Sequence, residues 1–224
     1  MTPLPNRGLY AVTDNSLSIR GSLISAVRDA ILGGAAIIQY RDKGTDSERR
    51  EEEARTLLAL CHSHEVSLII NDNVDLAKAI GADGVHIGKD DPPSTLARNR
   101  LGDGAIIGVS CYNSLENAER AQRDGADYVA FGRFFPSHTK PHAVPVTTSQ
   151  LREFRRHIHL PIAAIGGITP ENGASVITSG ADFLAVSHGV FGQPDAEIAA
   201  RKYAELFRHR KNPLENRCIH VSEK

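Results

Sequence analysis

Short apolar runs alternate with longer amphipathic segments along this chain, and most of the runs end abruptly in polar residues. Eight runs read as buried strands: residues 8–13, 35–41, 67–71, 84–88, 105–110, 127–132, 162–166 and 182–187. The segments between them, such as 47–65 and 115–124, carry apolar residues at helical spacing. Four of the runs open on a Gly-Ala pair: Gly34-Ala35, Gly81-Ala82, Gly125-Ala126 and Gly180-Ala181. A glycine that closes a helix just before a buried strand is the helix-to-strand joint of a parallel sheet. Pairs recurring at roughly 45–55 residues correspond to two βα units per interval. Capping-box spacing predicts helix starts at Thr45 with Glu48, Asn113 with Glu116 and Thr147 with Gln150, and Thr169-Pro170 offers a cap followed by proline. Eight alternations predict a single-domain α/β fold, a (β/α)8 TIM barrel of parallel strands, over residues 1–207. The polar stretch 208–224 lacks a period and reads as a tail.

Composition narrows the classes of function. The 224 residues suit one domain, and a hydrophobic fraction of 41% can fill its core. A formal net charge of -1 supplies no general attraction for nucleic acid or an anionic membrane, so neither is an expected partner. Three distant cysteines (Cys61, Cys111 and Cys218) with no C-x-x-C pair suggest neither a disulfide framework nor a zinc knuckle. The N-terminal residues carry no apolar signal core, and no stretch approaches the roughly 20 apolar residues of a membrane span, which predicts a cytoplasmic protein.

Chemistry is concentrated at the ends of the strands, which in such barrels surround the active site. Gln39, Arg41 and Lys43 alternate with Tyr40 and Asp42, and period two puts the first three on one face. Two cations there suit a phosphate or diphosphate. Asn71-Asp72-Asn73 and Lys89-Asp90-Asp91 end the next two strands. Carboxylates from neighbouring strand ends suit a hard divalent cation such as Mg²⁺, although either triplet alone also reads as a turn or a helix cap. Ser110 ends the fifth strand. The long connection 133–146 holds Pro136, Pro141 and Pro145 with Ser137, His138, Thr139 and Lys140, and loops of this length tend to be lids or binding loops. Gly166-Gly167 and Ser187-His188-Gly189 follow the last two strands, the usual place for a phosphate cup. His86, inside the fourth strand, reads as a buried, hydrogen-bonded core residue, and no general base is evident.

Taken jointly, Gln39-Tyr40-Arg41-Asp42-Lys43, Asn71-Asp72, His86-Ile87-Gly88 with Asp90-Asp91, Gly108-Val109-Ser110, Ser137-His138-Thr139-Lys140 and Ile165-Gly166-Gly167-Ile168 resemble the thiamine phosphate synthase family. The resemblance implies transfer of a hydroxymethylpyrimidine from its diphosphate to a thiazole phosphate, with pyrophosphate released and homo-oligomer formation left open. It implies that Gln39, Arg41, Lys43, Asn71, Ser110 and Lys140 bind the pyrimidine diphosphate, and that Asp72 and Asp91 hold Mg²⁺. Arg41, Lys43, Lys140 and Ser110 would be the catalytic set. Ser137 and Thr139 would face the thiazole, with Gly167, Ser187 and His188 at its phosphate, and Tyr40, Asp42 and His138 would be further substrate contacts. Ser137 stands where the family usually has threonine, and the eighth strand ends Val186-Ser187-His188, where the family more often has an aliphatic residue followed by serine. Alternatives are a thiazole tautomerase of the same superfamily, a Schiff-base lyase using Lys43 or Lys140, and a non-catalytic barrel that binds phosphorylated metabolites.

Overall fold

Glycine punctuation sets the rhythm of the chain. Gly81 closes the third helix with φ of 71°, in the left-handed region, and its N–H reaches back to the Ala77 carbonyl. The next strand begins within three residues. The computed structural model describes residues 1–14, 22–88, 91, 93–136 and 145–208. The eight expected strands are there: β1 (Gly8–Val12), β2 (Ala35–Tyr40), β3 (Ser67–Asn71), β4 (Gly84–Ile87), β5 (Ile106–Tyr112), β6 (Tyr128–Gly132), β7 (Ile162–Ile165) and β8 (Phe183–Val186). Each pairs in parallel with its sequence neighbours, and β1 pairs with β8 to close the barrel. Around it run α1 (Leu23–Leu32), α2 (Ser47–Ser63), α3 (Val74–Ile80), α4 (Ser94–Leu101), α5 (Leu115–Arg123), α6 (Thr148–His157), α7 (Pro170–Thr178), the single turn α8 (His188–Phe191) and α9 (Ala196–Arg208). The last helix therefore takes in Arg208, the first residue of the expected tail, and 209–224 lie outside the described residues.

Two of the expected helix caps fall one residue early. Asp46, not Thr45, accepts from the Arg49 amide at 3.1 Å, and Ser114, not Asn113, accepts from the Asn117 amide at 3.1 Å. At each start a short oxygen-bearing side chain immediately before the helix reaches the third amide first. The Thr147–Gln150 box forms in both directions, and Asn172 accepts from the Thr169 amide at the start of α7.

The third residue of three Gly-Ala repeats has a structural task. Asp83, Asp127 and Asp182 accept from the amides of Leu68, Ile107 and Ile162 at 2.8, 2.7 and 2.8 Å, pinning β3, β5 and β7 to the start of the following strand. His62, Arg98 and Arg155 respectively partner the same carboxylates. The first repeat has Ala36 at this position. The core has two layers, one between strands and helices and one inside the barrel. The inner layer is built from Tyr10, Val12, Ile37, Ile69, Ile106, Tyr128, Ala130, Ala163, Phe183 and Ala185. Side chains of opposite parity, such as Leu9 and Ala11, pack outward under the helices.

Candidate active site

A cavity of about 800 Å³ opens at the C-terminal ends of the strands. Gln39, Arg41 and Lys43 line it together with Asn71, Asp72, Ser110, Gly167, Ser187 and His188. The strand ends that the sequence offered separately thus share one mouth.

At the end of β2 the alternation continues past the strand. The Arg41 amide donates to Thr13 Oγ1 at 2.9 Å, tying the ends of β1 and β2, and the Arg41 guanidinium meets Asp14 at 3.1 Å. Lys43 Nζ pairs with Asp72. Tyr40 and Asp42, expected as substrate contacts, point the other way and do not line this cavity. The Tyr40 hydroxyl donates to Glu53 on α2 at 2.8 Å, while Asp42 accepts from the Gly44 amide at 2.6 Å and from Arg49. The same period of two that aims Gln39, Arg41 and Lys43 inward sends these two outward.

The Asn71-Asp72-Asn73 triplet divides its labour. Asn71 faces the cavity, and Asn73 caps α3 by accepting from the Leu76 amide at 2.8 Å. Between them Asp72 has φ of 63°, a conformation that Asp tolerates, and its amide donates to the His86 carbonyl at 2.8 Å. Its carboxylate sits beside that of Asp91, which accepts from the Gly88 amide at 2.7 Å. Burial pushes both carboxyls up. Hydrogen bonds from Lys43 and Asp91 then pull Asp72 below the ordinary range, while burial, the hydrogen bond to Asp72 and that neighbour's charge keep Asp91 above it. Among the described residues no group of three or more Asp, Glu, His or Cys side chains gathers. Two adjacent carboxylates with oxygen donors only fit Mg²⁺, which takes one or two protein carboxylates and completes its shell with water and phosphate oxygens.

Below the rim, five side chains from five strands form one hydrogen-bonded line. Gln39 Nε2 donates to the Tyr10 hydroxyl at 2.7 Å, and the Tyr10 and Tyr128 hydroxyls meet at 2.7 Å. Tyr128 meets His86 Nδ1 at 2.9 Å, and His86 Nε2 meets Ser110 Oγ at 2.9 Å. His86 is buried and hydrogen-bonded as expected, but it also lines the cavity. Tyr10 and Tyr128 were not expected among the site residues. Gly108 makes room for the line: a Cβ there would stand 2.0 Å from Tyr128 Cζ.

Across the mouth the cup is mostly backbone. Gly166 and Gly167 have φ of 102° and 64°, and a Cβ on Gly167 would meet the Pro136 carbonyl at 2.4 Å. Ser187 Oγ is buried and has no hydrogen-bond partner among the described residues, so its hydroxyl is available to a ligand. His188 is exposed at the rim. The 133–146 connection is stapled at its base, where the Val146 amide donates to the Arg133 carbonyl at 2.7 Å. Asp90, Ser137, His138, Thr139 and Lys140 lie outside the described residues.

Known proteins resemble this chain over most of its length. The family model for thiamine monophosphate synthase matches residues 9–190. A thiamine-phosphate synthase from Nitrosococcus oceani is 52% identical over 201 residues, covering 90% of this chain and 93% of the relative. One from Methylococcus capsulatus is 47% identical over 216 residues, 96% of each chain. Among solved structures, a thiamine phosphate pyrophosphorylase from Pyrococcus furiosus superposes with a TM-score of 0.82 at 34% identity, over 90% of this chain and 95% of that one. With a matching model over most of its length and relatives near half identity, this chain belongs to the thiamine monophosphate synthase family.

Proposed function

We propose that this enzyme joins a 4-amino-2-methyl-5-hydroxymethylpyrimidine diphosphate to a thiazole phosphate, giving thiamine phosphate and pyrophosphate. One observation carries the reading: a cationic, carboxylate-bearing edge and a glycine-built cup face each other across a single cavity. Two phosphorylated substrates need two such places, and a tautomerase acting on one substrate would need an acid or base instead.

The transfer breaks the bond from the pyrimidine methylene to the diphosphate oxygen, and the electron pair leaves with the diphosphate. The thiazole nitrogen lone pair then forms the new bond, and that nitrogen has no proton to lose. No general base is required, and His86 has both ring nitrogens engaged. Arg41 and Lys43 stabilise the charge that builds on the departing group, with Lys140 the expected third cation. Asp72 and Asp91 would hold Mg²⁺, which supplies charge neutralisation at the diphosphate. Two cations, Arg41 and Lys43, face three carboxylates, Asp14, Asp72 and Asp91, on the described part of this edge. Its own side chains therefore leave no surplus positive charge, and the diphosphate is best received together with a divalent cation. Ser187 and the Gly166-Gly167 turn bind the thiazole phosphate, while Ile165 and Ile168 supply an apolar wall that keeps water from the methylene.

The reading carries with it a cytoplasmic location, since both substrates are small polar metabolites. Among the described residues no helix is long and apolar enough to cross a membrane. The test is to mix purified protein with both heterocycles, with and without Mg²⁺, and assay thiamine phosphate and pyrophosphate. Isomerisation of a thiazole carboxylate phosphate with no coupled product would favour the tautomerase.

A further inference from the structure

Building on the transfer reading above for the choice of ligand, we propose that the hydrogen-bonded line beneath the mouth has a fixed polarity that makes the cavity select a 4-aminopyrimidine over its 4-oxo counterpart. Tyr10, Tyr128 and His86 are the positioning residues. Gln39 gives an amide N–H to Tyr10, which leaves its carbonyl oxygen as the acceptor for a ligand. With that N–H accepted, the Tyr10 proton goes to the Tyr128 oxygen, its other contact at 2.7 Å. Tyr128 then donates to His86 Nδ1, so the imidazole carries its proton on Nε2 and donates to Ser110 Oγ. The Ser110 proton is left for the ligand. Each group accepts once and donates once, and the choice made at Gln39 is transmitted through three rings to Ser110.

Running the line the other way would exchange the two ends. Gln39 would then offer N–H and Ser110 would offer a lone pair. A 4-aminopyrimidine presents an amino donor beside a ring-nitrogen acceptor, whereas the 4-oxo tautomer presents a carbonyl acceptor beside a ring N–H donor. The polarity set by the Gln39 amide matches the first and leaves the second facing like groups. The two heterocycles are nearly isosteric, so a pocket wall alone would separate them poorly, but a site with committed donors and acceptors rejects the wrong one strongly. Three features hold the commitment in place. The Tyr10 and Tyr128 rings are buried edge-to-face with centroids 5.8 Å apart. Tyr128 stacks on His86, with centroids 5.6 Å apart. The missing side chain at Gly108 accommodates the Tyr128 ring.

The tautomer of His86 can be read directly by ¹⁵N NMR of histidine-labelled protein without ligand, with the resonances assigned by their loss in His86→Gln. The wild type is expected to carry the proton on Nε2. In Gln39→Glu the introduced carboxylate can only accept, so the whole line must reverse and the proton should move to Nδ1, two phenols away from the mutation. Adding Tyr10→Phe to that variant should abolish the move. In binding assays the wild type should favour the amino- over the oxo-pyrimidine diphosphate by about 100-fold or more, and Tyr10→Phe or Tyr128→Phe should narrow this to about tenfold or less. An Nδ1 proton in the wild type, an unchanged ring in Gln39→Glu, or an undiminished preference in Tyr10→Phe would each overturn the proposal. The wild-type spectrum stands even if a variant fails to fold. Were neither pyrimidine diphosphate to bind, the transfer reading and the selectivity would fall together, while the ring would still report the polarity of the line. Were the amino compound bound by a protein with Nδ1 protonated, the fixed polarity alone would fall.

Discussion

In the proposed transfer the two edges of the mouth would handle phosphate by different means. The edge at β1 to β4 uses long charged side chains that are already paired: Arg41 with Asp14, and Lys43 with Asp72. The edge at β7 and β8 uses a glycine turn and one buried hydroxyl. Paired side chains can trade partners as charge develops, so the first edge suits the phosphate that leaves. Backbone cannot rearrange, so the second suits the phosphate that only anchors its substrate. The contrast predicts rate effects on one side and binding effects on the other.

The largest expected effect tests that contrast at the carboxylates. Asp72→Ala should lower turnover about 1000-fold and raise the Mg²⁺ concentration needed for half-maximal rate, and Lys43→Ala should lower turnover about 100-fold with both substrates saturating. Near-normal turnover in Lys43→Ala would remove the electrostatic account of the first edge. On the cup, Gly167→Ala forces a Cβ against the Pro136 carbonyl in a left-handed conformation. It should raise KM for the thiazole phosphate about tenfold and leave kcat near wild type, an overpacking cost of about 1–3 kcal/mol. A fall in kcat with unchanged KM would erase the difference between the edges.

Smaller effects sharpen where the charged edge stops. Asp42 lies outside it, with its side chain 2% exposed. Burial pushes this carboxyl up, but the Gly44 amide and the Arg49 guanidinium hold it below the ordinary range. A depressed folded value means that the contribution to stability is full above the unfolded carboxylate range, near about 4, and is lost as pH falls through the folded value. Asp42→Asn should therefore cost about 1–2 kcal/mol in urea unfolding at pH 7, with the gap from wild type closing toward pH 3 and below. KM for the pyrimidine diphosphate should stay put, and a rise would return Asp42 to the site. Least of all should happen at the thiols. Burial pushes Cys61 and Cys111 up to about 12, so in Cys218→Ser neither should react with a disulfide reagent at pH 8 until the protein unfolds.

The barrel was legible because its signals are local: an apolar run and an amphipathic stretch eight times over, with a Gly-Ala joint at every second run. Parity was legible too, and applied strictly it turns Tyr40 and Asp42 away from the mouth, although the motif around them brought them in as candidates. The inner line was not legible. A tyrosine in a strand looks the same whether its hydroxyl is buried idly or wired to a partner. The decisive contacts here join β1 to β6 and β6 to β4, pairs that are not sheet neighbours, so strand register cannot foretell them. A glycine at 108 beside a tyrosine at 128 in the next strand was the one hint available. The carboxylates of the Gly-Ala-Asp repeats were hidden for a simpler reason: their partners are main-chain amides, which every sequence has.

Seen mechanically, the chain of contacts from Gln39 to Ser110 is a brace across a hollow cylinder. A ring of eight strands can turn oval through small shifts at each joint, and an oval bore would carry the charged rim and the glycine cup apart or together. Phenol and imidazole contacts at 2.7–2.9 Å tolerate little such shift. The spacing between the charged rim and the glycine cup is thus gauged from underneath by rigid rings.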